Sequence, residues 1–177
     1  TYGTLRNILV LQPCRLRVLA GKFIAMGFFA LVMIILSAII SVAASVILAP
    51  RAKVSTDLWF GADGRHALLT TFINIIISVV GFGTIGMVLG LLLRSPISAI
   101  SFGVLWLLIV ENLLIAVKNS LEEWMPGAQL AAIASGGAPS GMGIGIEYSH
   151  ALTIGGLYVA VGAVIASILF VRRDVSN

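Results

Sequence analysis

Residues 23–48 read FIAMGFFALVMIILSAIISVAASVIL, a run without a charged side chain. A helix needs about 20 mostly apolar residues to cross the roughly 30 Å hydrocarbon core of a bilayer. Three further stretches meet that requirement, namely residues 67–93, 97–117 and 151–171. Strands of an outer-membrane barrel would be shorter and would alternate apolar with polar residues, which these stretches do not. The sequence therefore predicts an all-α integral membrane protein, a helical bundle with four visible transmembrane helices in a single domain over residues 1–177.

The composition agrees with a membrane location. Of the 177 residues, 59% are hydrophobic and 10% are charged, whereas a soluble domain averages about 45–50% apolar and about 25% charged residues. These values exclude an ordinary soluble enzyme, and they exclude a disordered chain because disorder requires low hydrophobicity. The one cysteine, Cys14, excludes an internal disulfide. No metal site is expected, because His66 and His150 lack clustered Cys, Asp or His partners.

The basic residues predict the orientation, because cytoplasmic loops are enriched in Lys and Arg. If the N-terminal segment is cytoplasmic, seven basic residues lie inside and four lie outside. The connection Arg94-Ser-Pro96 is too short to be anything but a tight turn, and an even number of spans then places both termini in the cytoplasm. The inner set is Arg6, Arg15, Arg17, Lys22, Arg94, Arg172 and Arg173, and the outer set is Arg51, Lys53, Arg65 and Lys118.

The outer link over residues 118–150 is long and is not polar throughout. It contains the helix-forming run 129–134 and the glycine-rich stretch 136–145. Because that run is too short to span a bilayer, a half-inserted or interfacial re-entrant hairpin is expected. Four aromatic residues are expected to lie near the outer headgroups as anchors, namely Trp59, Phe60, Trp124 and Tyr148.

Residues 1–22 form the second informative segment. Thr4 suits an N-cap, and Leu5, Ile8 and Leu9 follow it at helical spacing until Pro13 interrupts the pattern. This pattern predicts a short amphipathic helix at the cytoplasmic face. Such a helix lies on lipid or presses against a protein partner, and the residues alone leave both alternatives open.

Glu111 is the one charged residue inside the third span, and Asn112 lies beside it. A carboxylate at membrane depth costs about 2.5–3.5 kcal/mol on insertion scales, so it normally faces a bundle interior, a partner or a water path. We name Glu111, Asn112 and Asn74 as candidate residues of a substrate path or gate. The structural alternative is a hydrogen bond from Glu111 to a neighbouring helix, with Asn74 and Ser78 as candidate partners, or snorkelling to the outer interface.

Glycines are concentrated in the second span. Gly81-Phe-Gly-Thr-Ile-Gly86 matches the dinucleotide-binding string, but nucleotide binding needs these glycines in a turn between a strand and a helix. Inside a span they favour close helix packing instead, and Gly86 and Gly90 form the corresponding Gly-x-x-x-Gly motif. The chain carries no nucleophile–base pair, so no catalytic residue is assigned.

Two terminal segments resemble a known family. The opening Thr1-Tyr-Gly-Thr-Leu-Arg-Asn-Ile-Leu9, followed by Pro13-Cys-Arg15 and by Gly21-Lys22, is similar to permease subunits of the ABC-2 (type II exporter) class of ABC transporters. In that family, a GT-x-x-x-x-L…P-x-R…K segment forms the cytoplasmic coupling helix between the second and third spans. The ending Phe170-Val-Arg-Arg-Asp-Val175 resembles the tail that follows the sixth span of the family.

The resemblance implies a six-span subunit of which residues 23–171 hold the third to sixth spans, with two more upstream. It implies a bacterial plasma membrane protein that pairs with cytoplasmic ABC ATPase subunits and with a second permease protomer, and that contacts membrane lipid but no nucleic acid. The chain itself would be no enzyme and would bind no cofactor, because ATP and Mg²⁺ belong to the partner ATPase. The coupling contacts would come from Thr4, Leu5, Arg6, Ile8 and Leu9.

The expected function is therefore export of a hydrophobic or amphipathic substrate, such as a drug, a lipid or a metabolite, driven by ATP. One alternative is a secondary transporter that uses Glu111 as a proton relay. Another is a membrane accessory subunit that transports nothing.

Overall fold

The computed structural model describes residues 15–57, 59–93, 95–137 and 145–172. Within these ranges every regular element is helical. The elements are α1 (Arg15–Leu48), α2 (Ala62–Leu93), α3 (Pro96–Leu105), a π-helical turn (Trp106–Val110), α4 (Glu111–Val117), a 3₁₀ helix (Asn119–Trp124), α5 (Pro126–Ser135) and α6 (Tyr148–Arg172). The predicted coupling segment, residues 4–12, lies outside the described residues.

Four helical segments are long and apolar enough to cross a membrane, which confirms the predicted all-helical class and number of spans. They are Arg17–Leu48, Ala62–Leu93, Pro96–Val117 and Tyr148–Phe170, the third being α3 and α4 joined through the π turn. The first two helices begin earlier than the apolar runs at 23 and 67, because each continues into polar residues that still complete backbone hydrogen bonds.

A tight turn connects α2 to α3. Ser95 has an extended backbone, and its hydroxyl accepts a hydrogen bond from the N–H of Ser98 at 3.4 Å. Pro96 follows at the first helical position, where its missing N–H costs nothing and its fixed φ suits a helix. The sequence Ser95-Pro96 therefore ends one span and starts the next without an intervening loop.

The helices α2 and α6 meet directly only in part of their length. In their second halves, a Cβ built on Gly162 would lie 3.4 Å from Cγ2 of Val88 and 3.7 Å from Cγ2 of Thr84. Toward their first residues α5 lies between them, and nearer their starts the hydroxyl of Tyr148 on α6 donates to Oδ1 of Asn74 on α2. The side chain of Leu130 contacts both helices, since its Cγ would lie 3.4 Å from a Cβ on Gly81 and its Cδ2 3.6 Å from one on Gly155.

A buried apolar cluster is built around the short helix α5. Leu130, Ala132 and Ile133 pack there with Ile146 and Ala151, and Leu130 and Ile133 are each only 1% exposed. Gly136 ends α5 in the left-handed conformation, with φ at 71°, and its N–H bonds back to the last turn. Glycine is the residue that adopts this conformation at low cost. The core of the described chain therefore depends on a ten-residue helix that is too short to span a bilayer.

Glycines mediate the close contacts, but the contacts differ from the predicted motif. A Cβ built on Gly86 or on Gly90 would meet no atom of the described residues within 4 Å. The close approaches between long helices and their neighbours include Gly81 and Gly155 against α5, Gly83 against Met26 of α1, and Gly162 against α2. Within the part of the chain that the structure describes, Gly86 and Gly90 thus face open space rather than a packed helix.

Gly81→Leu should destabilise the bundle, whereas Gly86→Leu should leave its stability nearly unchanged. The added side chain at 81 collides with Leu130, and overpacking of a filled core costs roughly 1–3 kcal/mol. The helix propensity of leucine is gained equally at both positions, so the pair isolates the packing effect. Thermal unfolding in one detergent would measure the difference in stability between the two variants. Equal midpoints would contradict the observed packing of Leu130 against Gly81.

Candidate functional site

Glu111 is buried where the third span meets the start of α5, with a 3% exposed side chain. Its Oε1 accepts a hydrogen bond from Nε1–H of Trp106 at 2.9 Å and another from the backbone N–H of Gly127 at 3.2 Å. The N–H of Ala128 also donates to this carboxylate. A single carboxylate therefore joins the third span to the first turn of α5.

The π turn explains why Trp106 reaches Glu111. In a regular α-helix, residues five apart lie about 140° apart around the axis and do not meet. Here the N–H of Glu111 bonds to the carbonyl of Trp106, five residues back, which widens the turn and brings the two side chains to one face. Asn112 makes use of the same distortion, because its Nδ2 donates to the carbonyls of Leu107 at 3.2 Å and Leu108 at 3.1 Å.

The carboxylate completes the hydrogen bonding of the α5 N-terminus. The first N–H groups of any helix lack partners within the helix. At α5, Met125 N–H donates to the carbonyl of Glu122, Pro126 has no N–H, and Gly127 and Ala128 donate to Glu111. The negative charge also complements the positive end of the helix dipole. Gly127 is required for this approach, since a Cβ there would collide with the carboxylate and with Leu107.

The flanking spans donate further hydrogen bonds to main-chain carbonyls around α5. The hydroxyl of Ser78 on α2 donates to the carbonyl of Leu130 at 2.8 Å, and the hydroxyl of Tyr158 on α6 donates to that of Trp124 at 2.6 Å. Near the end of α5, the hydroxyl of Tyr148 donates to Oδ1 of Asn74 at 2.6 Å and links α6 to α2. These three bonds and the Glu111 carboxylate surround α5 with polar contacts.

Two buried polar atoms have no hydrogen-bond partner among the described residues. They are Oε1 of Gln129, on a side chain that is 0% exposed, and Nδ1 of His150. The amide Nε2 of Gln129 does donate to the carbonyl of Glu123. Since a buried unsatisfied polar atom costs about 1–3 kcal/mol, the seat of α5 is not fully optimised for stability.

The candidate gate residues do not form one cluster. No hydrogen bond links Glu111 to Asn112 or to Asn74 among the described contacts, because Asn112 binds carbonyls of its own helix and Asn74 accepts from Tyr148. Ser78, the other predicted partner of Glu111, donates to Leu130 instead. Sequence periodicity did not find Trp106, Gly127 and Tyr158, because no i to i+4 spacing relates them to Glu111. The role of Glu111, Asn112 and Asn74 in a substrate path or gate stays a prediction.

A concavity lies between α1 and the start of α2. Its volume is about 340 Å³, and its lining carries hydroxyl groups but no ionisable side chain among the residues described. The described residues also contain no group of three or more Cys, His, Asp or Glu side chains that could hold a metal ion. The polar chemistry is therefore concentrated around α5. The residues that line the cavity are Ser41, Val42, Ser45, Trp59, Phe60, Gly64, Ala67, Leu68 and Thr71.

Comparison with protein families gives one match. The model of a family described as a protein of unknown function (DUF2705) matches residues 1–176. The chain belongs to the DUF2705 family. No curated protein and no solved structure matches it. For this DUF2705 chain, the candidate site is therefore defined by its own geometry, namely the Glu111 carboxylate at the N-terminus of a short helix inserted between two spans.

Glu111→Ala should destabilise this DUF2705 chain by about 2–3 kcal/mol, because two buried backbone N–H groups and the Trp106 indole lose their acceptor. Glu111→Gln should cost less, since its amide oxygen still accepts. The matched control is Glu123→Gln on an exposed side chain of the neighbouring 3₁₀ helix. Thermal unfolding in detergent would give the order, with about 2–4 °C expected per kcal/mol. An unchanged midpoint in Glu111→Ala would rule out a capping role.

Proposed function

We propose that the chain is the transmembrane permease subunit of an ATP-driven exporter in a bacterial plasma membrane. The observation that carries the proposal is α5, a buried ten-residue helix placed directly before the last span. The ABC-2 resemblance implies a short re-entrant region at this place. The four membrane-length helices and the basic N-terminal segment support the same assignment.

The contacts of α5 support the proposal that it is one arm of a re-entrant hairpin, inserted between α2 and α6. Its partners on α2 and α6, including Ser78 and Gly155, lie well inside the two spans rather than at their ends. Only segments whose backbone polar groups are satisfied by protein are tolerated at membrane depth. The acceptors and donors around α5 meet that requirement at both of its ends.

The mechanism follows from this arrangement. Residues 4–12 would dock into a groove of the partner ATPase, with Leu5, Ile8 and Leu9 packing there and Arg6 pairing at the rim. Closure of the ATPase pair on ATP would move this segment. The rigid span that begins after Lys22 would transmit the motion to α2 and α6, with which α1 packs. The amphipathic substrate would then leave past the outer end of the bundle as α5 shifts.

Glu111 acts in this scheme as a tether for α5 rather than as a proton carrier. Its carboxylate is engaged by Trp106 and by backbone N–H groups that have no other acceptor in the described residues. A relay that lost and regained a proton in each cycle would have to break these bonds every time. This consideration favours the ATP-driven scheme over a proton-coupled carrier.

Replacement of Leu5 and Leu9 with aspartate should abolish association with the ATPase, because burial of two carboxylates in an apolar groove is costly. The experiment is affinity purification of the tagged protein from its own host in mild detergent, followed by identification of a P-loop ATPase by mass spectrometry. The matched control places the same charges on the opposite face of the predicted helix, as Asn7→Asp and Val10→Asp. Equal ATPase recovery with both pairs would refute the coupling role.

The energy source separates the two transport schemes. Efflux by the permease should stop when cellular ATP is depleted and should persist when an ionophore collapses the proton gradient. Glu111→Gln should reduce the rate without changing this pattern. Efflux that survives ATP depletion and is lost with the ionophore would identify a proton-coupled transporter instead, and no efflux under either condition would indicate an accessory subunit.

A further inference from the structure

We infer that α5 is a removable wedge, and that the α2–α6 cleft which it fills is a binding site for an uncharged amphiphile that carries carbonyl oxygens. The inference rests on the proposed permease function and names its substrate class. The α2–α6 cleft is formed by Asn74, Ser78 and Gly81 of α2 and by Tyr148, Gly155 and Tyr158 of α6.

The two spans touch directly in two places. Gly162 lies against Thr84 and Val88, and nearer their first residues the hydroxyl of Tyr148 donates to Oδ1 of Asn74. Between these contacts the side chain of Leu130 separates Gly81 from Gly155. Removal of α5 would therefore open a cleft with a floor at Thr84 and a mouth that only the neutral hydrogen bond between Tyr148 and Asn74 closes. In the proposed orientation the mouth faces the outside.

Helix α5 packs tightly between α2 and α6, but its buried polar atoms are not all hydrogen-bonded. Leu130 and Ile133 are almost fully buried, yet Oε1 of Gln129 has no hydrogen-bond partner in the described residues. Helix α5 is also short, and elements that move in function are drawn from the less stable parts of a structure. A second state in which α5 has left the cleft therefore costs less than the opening of a fully satisfied core.

The groups that hold α5 identify the ligand class. Ser78 and Tyr158 each donate a hydroxyl hydrogen to a main-chain carbonyl, at Leu130 and at Trp124. Between these bonds, α5 offers the cleft aliphatic side chains. When α5 leaves, the buried hydroxyl of Ser78 needs a new acceptor in a low-dielectric site, and a carbonyl oxygen on an apolar body satisfies that demand.

The side chains that line the cleft indicate that it excludes charged ligands. Its six lining residues carry hydroxyl, amide or glycine groups and no ionisable acid or base at neutral pH. The buried carboxylates of the described residues, Glu111 and Glu122, lie on α4 and on the 3₁₀ helix, not on α2 or α6. An anionic or cationic headgroup would therefore find no counter-charge among the six lining residues and would pay the cost of desolvation. The one ionisable side chain in the first turn of α6 beside them is the imidazole of His150.

The test measures the accessibility of a single cysteine. The full chain carries Cys14→Ser and Ser78→Cys, and right-side-out membrane vesicles are treated with a membrane-impermeant maleimide. Ser55→Cys on the exposed α1–α2 connection gives the reference rate, and Thr84→Cys reports the floor. Two variants loosen the wedge from opposite sides: Trp106→Phe removes a hydrogen bond to Glu111, and Tyr158→Phe removes the one to Trp124.

We expect the cysteine at 78 to react at least 100-fold more slowly than the one at 55. Either loosening variant should accelerate labelling at 78 at least tenfold and leave labelling at 84 unchanged. Labelling at 78 that neither variant accelerates would show that α5 is not a removable wedge. Equal acceleration at 84 would show general loosening of the bundle, which also overturns the inference.

Protection with three lauroyl compounds tests the ligand class. Monolauroylglycerol is an uncharged ester, lauroylcholine is a cationic ester and laurate is an anion, and all share one acyl chain. For this test the reporter is Ala151→Cys, a buried α6 position packed in the α5 cluster, so that the hydroxyl of Ser78 is kept. In the Trp106→Phe chain, half-protection of the cysteine at 151 should need at least tenfold less monolauroylglycerol than either charged compound, after normalisation to the cysteine at 55. Better protection by a charged compound would refute the assigned class. None of these readouts requires the ATPase, so loss of ATPase association and failure of this inference are separate results.

Discussion

The backbone N–H groups at the start of α5 impose the constraint on which the bundle depends. Gly127 is buried, and a buried backbone N–H without an acceptor costs about 1–3 kcal/mol. In this chain Pro126 removes one donor, and Glu111 accepts from the N–H groups of Gly127 and Ala128. Glu111 is the residue of the third span that is costliest to insert into a membrane. It nevertheless provides the acceptor that allows the short helix α5 to begin beside that span.

The π turn is the second part of that solution. A carboxylate with two backbone donors still has lone pairs to satisfy, and Trp106 provides a further donor because the widened turn rotates it to the same face. The π turn also leaves carbonyls of the third span without their usual helical partners. Asn112 donates to two of these carbonyls. One local irregularity is therefore compensated twice by neighbouring side chains, which is the arrangement expected where a distortion serves a function.

The sequence was sufficient for the spans and insufficient for their contacts. Long apolar runs, the Ser95-Pro96 turn and the short run at 129–134 indicate helices through properties that are local to each segment. The partners of Glu111 are a side chain at a spacing of five and a backbone group in another helix, and neither leaves a periodic pattern. Glycine motifs are ambiguous for the same reason. Gly86 and Gly90 fit the packing motif and face open space in the described chain, whereas Gly81 and Gly155 contact α5 without any such motif.

These contacts also limit how α5 can move. Its N-terminus is joined to the third span by charge-assisted bonds, which are roughly twice as strong as neutral ones. The bond of Ser78 to the carbonyl of Leu130 is neutral, and so is that of Tyr148 to Asn74. In the inferred opening, the neutral bonds would break first, and the end of α5 at Gly136 would move away while Gly127 stays near Glu111. The carboxylate would then keep accepting from the first turn of α5 during the movement.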